Sequence, residues 1–249
     1  MIKFQGVIKG KNIRMYSNVP LKNAGTAVLK TLNAVASKVD IFKPGFILNY
    51  GWSSFFLDKR KDNDGKDIYV VQTVDYENNI EMRTDNCGLS LVVQNMQMNT
   101  NFRAKVKKPE PTFYKDKILV LKEAIGAEDV YLNRTDAAKN GDSGWYFGLL
   151  NDENEGSHSD DEFIQVPTYE LMKFRGEALR VLQMPVGTLA VFHKNEMTAL
   201  VDENDNPLDF STRDEREQAI ARKAAAESAE KANSASENEE NTDSEKTEE

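Results

Sequence analysis

Apolar residues in this chain fall into short runs, and this pattern limits the fold more than any other feature of the sequence. The runs contain four to eight residues and are separated by turn-forming Gly, Pro, Asn and Asp. Such runs are typical of β-strands. None reaches the ~18 apolar residues of a membrane-spanning helix. Strands are therefore predicted over residues 1–8, 46–50, 54–57, 68–74, 89–96, 118–121, 145–150, 163–166, 189–193 and 198–201.

Two segments show helical spacing instead. Apolar residues recur on one side of a helix from about residue 25 to 39. A second helix is predicted from Thr168, which would cap it after Pro167, and it should end at Pro185 and Gly187. Because the strands do not alternate regularly with helices, the sequence predicts an α+β fold of mainly antiparallel sheets with a few packed helices.

The segment 103–117 is rich in lysine and proline and predicts a linker. It would separate an N-terminal α+β domain of unknown type, residues 1–102, from a second α+β domain, residues 118–210. The two halves share a faint echo, because Gly-Trp and Tyr-Glu pairs of the first half recur 93 residues later in the second. Duplication of one module would make two similar halves, and chance is the other interpretation.

The C-terminal segment, residues 211–249, has twelve Asp and Glu against six Lys and Arg. Its first part starts with Ser211 and is rich in alanine, which favours a helix. Beyond Asn233 the Ser, Asn and Glu composition cannot bury enough apolar surface to offset the chain entropy. We predict an acidic tail that is helical in part and then disordered. A solubilising role is favoured over docking on a basic partner.

The sequence contains little that could carry catalysis or hold a cofactor. It has two histidines and one cysteine, and no glycine-rich phosphate-binding motif. His158 and His193 are 35 residues apart with no ligand pattern around them, so no metal site is predicted. The carboxylates near Asp64 resemble a calcium loop only superficially, since Asp64-Gly65 explains a tight turn. No catalytic residue, metal or cofactor is therefore assigned.

The chain also lacks the features of several partner and compartment classes. Its net charge is −9, and the one small basic patch, near residues 103–108, is too narrow for a nucleic-acid surface. The N-terminus has no secretory signal pattern, and the lone Cys87 fits a reducing compartment. A cytoplasmic protein that binds neither nucleic acid nor membrane is expected. Cys87 itself is interpreted as a small, half-buried residue at the start of a strand.

An acidic loop, residues 151–162, follows the strand that contains Trp145 and has no Lys or Arg. One interpretation is an exposed loop between two strands. The other is a surface that attracts a cationic partner, because concentrated like charge speeds association. Trp145 would be a core or rim aromatic that anchors the loop. The predicted partner-binding residues are Trp145, Asp152, Glu153, Glu155, Asp160, Asp161 and Glu162.

Several motifs in residues 118–208 together resemble a bacterial family. They are Tyr131-Leu132-Asn133-Arg134, Asp142-Ser143-Gly144-Trp145-Tyr146-Phe147, the acidic loop, and Leu182-Gln183-Met184-Pro185-Val186-Gly187-Thr188. The family, once a domain of unknown function, is the thirty-third catalogued family of immunity proteins of polymorphic toxin systems. The family has a basic residue after the Trp, where this chain has Tyr146. Gly144 and Gly187 are expected to permit tight backbone geometry.

Two functional hypotheses follow. The resemblance implies a non-enzymatic binding protein that neutralises a cationic toxin protein through the acidic loop. The alternative is a small-ligand-binding or mobile-element accessory protein with a pocket between the halves. The sequence does not define the oligomeric state or the particular toxin.

Overall fold

Two six-stranded sheets form the described part of the chain, residues 1–139 and 141–211 of a computed structural model. Most neighbouring strands are antiparallel, and a few helices pack on the sheets. The predicted α+β class is confirmed. Residues Met1–Asp209 form one compact unit. No helix in the described residues is long and apolar enough to cross a membrane.

The first sheet has the strand order β1-β2-β5-β4-β3, and β6 pairs with β5. Among the strands described in this sheet, only β2 and β5 are parallel neighbours. Helix α1, Lys22–Ala36, covers one face and buries Val28 and Leu32 in the core of this sheet. The strands are β1 Ile2–Ile8, β2 Lys11–Ser17, β3 Ile47–Tyr50, β4 Ser53–Lys61, β5 Asp67–Asp75 and β6 Asn79–Thr84.

The second sheet has the strand order β10-β7-β9-β8-β11-β12. Again a single pair, β7 with β9, is parallel. Short helices cover its inner face, where Phe147 packs edge-on against Phe174 at 5.4 Å between ring centroids. The strands are β7 Lys117–Leu121, β8 Asp129–Arg134, β9 Asp142–Leu149, β10 Phe163–Pro167, β11 Leu189–His193 and β12 Glu196–Val201.

The predicted strand at residues 89–96 is wrong, because this segment lies in helix α2, Gly88–Arg103. Its N-terminus is held by Asn86, whose side-chain oxygen accepts a hydrogen bond from the Gly88 N–H at 3.1 Å. Both sides of the helix are buried, and one side buries polar residues such as Gln97. The apolar residues alone therefore show no helical period. Cys87, fully buried, precedes this helix and is not at the start of a strand.

The second predicted helix is broken into three short pieces. A 3-10 turn at Thr168–Glu170 leads into α3, Leu171–Phe174, and a second 3-10 helix covers Gly176–Val181. The interruption is Arg175, whose extended φ of −154° ends the helical geometry. Its buried side chain donates a hydrogen bond to the carbonyl of Ala127. The first helix, α1, forms close to where it was predicted.

The segment 103–117 lies against both halves. The Glu110 N–H donates to the Gln183 carbonyl at 3.0 Å, and the Tyr114 N–H donates to the Trp52 carbonyl at 3.0 Å. Thr112 is buried. The division into domains at 1–102 and 118–210 stays a prediction. The predicted tail, apart from Ser211, lies outside the described residues.

A conformational constraint at Gly144 provides a stability test. Gly144 has φ +72°, and a Cβ there would lie 2.1 Å from the Thr135 carbonyl oxygen. Gly144→Ala should therefore lower the free energy of unfolding by about 3 kcal/mol or more. Gly65 has φ +74° with open space around it. Gly65→Ala should cost only about 1–2 kcal/mol. Equal losses in urea unfolding would contradict the close approach.

Candidate functional site

The sequence motifs meet in the core of the second sheet at Arg134, which is 7% exposed. Its N–H donates to the Thr188 carbonyl at 2.9 Å, and its carbonyl accepts from the Gly187 N–H at 2.8 Å. Its guanidinium donates to the backbone carbonyls of Glu110, at 2.7 Å, and Met184. Burial lowers the pKa of Arg134 below its usual value. The Arg134 side chain thus joins the end of β8 to the segment around Pro185.

The segment Asp142-Ser143-Gly144-Trp145 forms an irregularity at the start of β9. The pairing of β7 with β9 shifts register between Lys117 and Leu119, and Ser143 Oγ bridges the gap by donating to the Lys117 carbonyl at 2.7 Å. The Asp142 carboxylate accepts from the Gly144 N–H at 3.0 Å. This motif therefore shapes the backbone. Gly187 has φ +86° and lies against Glu203, so the expected tight geometry is confirmed at both glycines.

Trp145 lies in the core and is 1% exposed. The Arg134 guanidinium carbon is 5.5 Å from the centre of its ring. The indole is thus a core aromatic and not a rim aromatic, and it is not positioned to touch a partner. Its contribution to a binding surface would be to fix β9 below the acidic loop.

Inside the acidic loop, a histidine holds two of the six carboxylates. His158 Nε2 lies 2.7 Å from Asp152 Oδ2, and Nδ1 lies 3.1 Å from Glu162 Oε1. The other oxygen of Glu162 accepts from the Ser159 hydroxyl at 2.7 Å and from its N–H at 2.6 Å. The imidazole is only 5% exposed, and it stands edge-on to the Phe163 ring at 5.8 Å. Asp152, His158 and Glu162, here called the histidine clamp, close the loop.

Hydrogen bonding within the clamp raises the pKa of the histidine and lowers the pKa values of the two carboxyl groups. The hydrogen bond to Asp152, and then that to Glu162, raises the pKa of His158 above 6.5. The hydrogen bond from His158 lowers the pKa of Asp152. The Ser159 hydroxyl, and then His158, lower the pKa of Glu162 to about 2. The raised pKa of His158 and the lowered pKa values of Asp152 and Glu162 all favour a charged imidazole between two carboxylates.

The other four carboxylates of the loop, here called the free carboxylates, point into solvent. Glu153, Glu155, Asp160 and Asp161 are exposed, and none of them forms an ion pair within residues 1–139 and 141–211. Lys122 anchors this side of the loop through the backbone carbonyl of Asp161. The structure thus divides the six predicted acidic residues into two that hold the loop and four that carry its external charge.

Three half-buried aromatic residues lie beside the loop on the outer face of the second sheet. Tyr131 and Tyr146 meet edge-on at 5.7 Å between centroids, and Tyr146 contacts Phe163 at 6.2 Å. The Tyr146 ring lies across Gly148, where any Cβ would be 2.6 Å from it. Burial, with the nearby Tyr131 and Asp152, raises the pKa of Tyr146 to about 12. These residues, here called the aromatic platform, were not predicted as site residues.

The platform continues into a partly exposed apolar face. Paired residues of successive strands point the same way, so the register places Tyr131 beside Gly148 and Val191, and Val191 beside Ala199. Leu119, next to Tyr146 in the register, is 37% exposed. The alternation of side chains along each strand could have shown which residues of that strand share a face. That these residues lie beside one another depends on the order of the strands in the sheet, which the alternation does not give. The result is an apolar surface beside concentrated negative charge.

Comparison with known proteins gives a family match over part of the chain. Residues 94–203 match the model of the Imm33-like domain. The suspected resemblance to this immunity-protein family is confirmed over that segment, which begins within α2 and includes the acidic loop and the aromatic platform. No curated protein and no solved structure matches the chain. The described residues contain no group of three or more His, Cys, Asp and Glu suited to a metal ion.

The histidine clamp should make stability depend on pH in a defined direction. Because the pKa of His158 is raised in the folded protein, its contribution to stability is lost as pH rises through the folded-state pKa. Because the pKa values of Asp152 and Glu162 are lowered, their contribution is lost as pH falls through theirs. His158→Gln should therefore lower the melting temperature more at about pH 5.5 than at about pH 8.5.

The matched control is His193→Gln. His193 lies 2.8 Å from Asp129, but both side chains are about half exposed, at 49% and 53%. Exposed pairs add little stability, so this variant should change the melting temperature little at either pH. A loss at His158 that is the same at both pH values would show that the clamp is not charged in the folded protein.

Proposed function

We propose that this chain is a cytoplasmic, non-enzymatic immunity protein that binds and neutralises a cationic toxin protein through its acidic loop and aromatic platform. The observation that supports it most is the pairing of free carboxylates with a half-buried apolar surface inside the Imm33-like segment. A protein of this family is expected to bind a toxin. The negative charge of the free carboxylates is complementary to a basic partner.

The two parts of the surface would contribute in different ways. Exposed like charges mainly accelerate encounter and select partners of opposite charge. Half-buried aromatic residues provide contact area with little loss of side-chain freedom, and interface hot spots are enriched in Tyr. The free carboxylates would thus set the association rate, and Tyr131 and Tyr146 would set the lifetime of the complex. The histidine clamp would hold the loop in one shape before binding.

Charge reversal in the loop tests this division. Glu153→Lys with Glu155→Lys should slow association with the toxin about tenfold at low salt and weaken its dependence on salt, while dissociation changes less. Both side chains are exposed and outside the clamp, so the melting temperature should stay near that of the natural protein. Rates are measured by surface plasmon resonance at two ionic strengths.

The matched control, Asp64→Lys with Glu81→Lys, reverses one exposed carboxylate in the turn between β4 and β5 and one in β6. It changes the net charge equally, but away from the loop. The partner is first captured at low salt from a lysate of the organism that encodes the chain, then expressed and tested for toxicity and its relief. Equal slowing by both double variants would assign the effect to net charge. A captured toxin that binds the loop variant at the natural rate would refute the proposed surface.

A cleft in the structure supports small-ligand binding as a second candidate function. It has a volume of about 700 Å³ and lies between α2 and the short helices that cover the second sheet. Leu89, Val92 and Met96 line one side, and Tyr169 and Met172 line the other. This size and apolar lining are typical of small-ligand sites.

A ligand in the cleft should stabilise the protein without any protein partner. At a concentration about 100-fold above its Kd, it would add about 2.7 kcal/mol to the free energy of unfolding. A metabolite library screened by thermal shift provides the measurement, and Val92→Trp, which fills the cleft, provides the control. Compounds that shift the natural protein and the filled variant equally would bind elsewhere.

A further inference from the structure

The first sheet ends in an open edge at β1. This strand pairs with β2 along its whole length, from Ile2↔Ser17 to Ile8↔Lys11. In the described part of the chain, no strand pairs with its other side. An edge of seven residues presents a row of backbone groups that another strand could use.

The hairpin geometry identifies which backbone groups face outward. Lys9 and Gly10 have positive φ angles, 47° and 74°, as in a two-residue hairpin turn of type I′. The residues that flank such a turn exchange hydrogen bonds across the hairpin, and the hydrogen-bonded pairs alternate along it. The N–H and C=O groups of Lys3, Gln5 and Val7 therefore point away from β2.

Helix α1 forms a wall beside this edge. It packs closely against β1 at Gly25, where a Cβ would be 2.8 Å from the Phe4 ring. A groove of about 460 Å³ runs between α1 and β1, and half-buried Leu29 lines it. A strand added to β1 would lie about 4.8 Å away. Its inward side chains would then contact Thr26, Leu29 and Asn33 of α1.

The charge of the groove indicates the chemistry of an occupant. Lys3, Lys22 and Lys30 line it, all three are exposed, and none forms an ion pair within the described ranges. They belong to a strongly basic region, because residues 1–57 contain eight Lys and Arg and one Asp, a formal charge of +7. An acidic segment would be attracted to this groove, and a second copy of the same edge would be repelled.

We propose that the β1 edge binds an extended, acidic segment of a partner protein by strand addition. Backbone hydrogen bonds to Lys3, Gln5 and Val7 would align the segment, and the three lysines would select acidic side chains. This surface is separate from the acidic loop and lies outside residues 94–203. A nucleic acid would satisfy the lysines but not the outward backbone groups, so the geometry favours a peptide strand.

The proposal is tested with the full chain and a displayed library of random peptides of about twelve residues. Enriched peptides should be acidic, with apolar residues at alternate positions. Binding of the best peptide should weaken about tenfold or more in the triple variant Lys3→Glu, Lys22→Glu, Lys30→Glu. The matched control, Lys38→Glu with Lys43→Glu and Lys66→Glu, has the same net charge and should weaken binding much less. No enrichment of acidic peptides would overturn the proposal.

A backbone variant separates strand addition from simple charge attraction. Gln5→Pro removes one outward N–H, which an edge strand tolerates. It should abolish peptide binding while the melting temperature changes little, and Gln5→Ala should bind normally. Hydrogen exchange at Lys3, Gln5 and Val7 should slow when the peptide binds.

The remaining outcomes each contradict the proposal. Peptide binding that Gln5→Pro leaves intact would mean that no strand is added. A concentration-dependent dimer that Gln5→Pro abolishes would identify a second copy as the occupant. Tighter binding of a fluorescent oligonucleotide than of any selected peptide, lost in the lysine variant alone, would identify nucleic acid.

Discussion

A buried set of amide hydrogen bonds holds the two sheets of the molecule together. Gln183 Nε2 donates to Gln97 Oε1 at 2.7 Å, Asn101 Nδ2 donates to Gln183 Oε1 at 3.0 Å, and Gln97 Nε2 donates to the Leu179 carbonyl at 2.9 Å. Burying side-chain amides away from water costs free energy unless they form hydrogen bonds within the protein. The opposite side of α2 buries Leu91 in the core of the first sheet. One helix thus belongs to both cores, and the position of each sheet depends on it.

The same helix marks the limit of what the sequence could predict about the fold. Strand β5 was predicted because it contains a short continuous run of apolar residues, Ile68 to Val71, all of which are buried. Residues 89–96 were predicted as a strand because α2 buries polar amides on one side and apolar residues on the other, which hides the helical period. Strands β2, β6 and β8 were not in the predicted set. In β2, for example, only Ile13 and Met15 are buried apolar residues.

The candidate site was predictable in its charge but not in its arrangement. The run of carboxylates is visible in the sequence, but which of them are free depends on how the loop closes. His158 reaches Asp152 only because the loop turns back on itself, which the sequence does not indicate. Ser159 and Glu162, in contrast, have the Ser-x-x-Glu spacing of a capping box. Tyr131 and Tyr146 come together through the pairing of β8 with β9. Trp145 was predicted as a core or rim aromatic that anchors the loop, and it lies in the core.

The family motifs and the binding surfaces are made of different residues. The motif around Trp145 and the motif that ends at Thr188 fix the backbone about Arg134. A family match through these motifs therefore indicates a shared fold and does not by itself indicate which partner is bound.

The internal echo between the two halves likewise does not indicate a function. The order β2-β5-β4 and the order β7-β9-β8 share one parallel and one antiparallel pairing, yet the 93-residue echo matches Trp52, which precedes β4, with Trp145 inside β9. The echo thus joins positions that differ in topology. If partners are chosen by surface charge, the basic β1 edge and the acidic loop would select different ones, and only the loop lies in the Imm33-like segment.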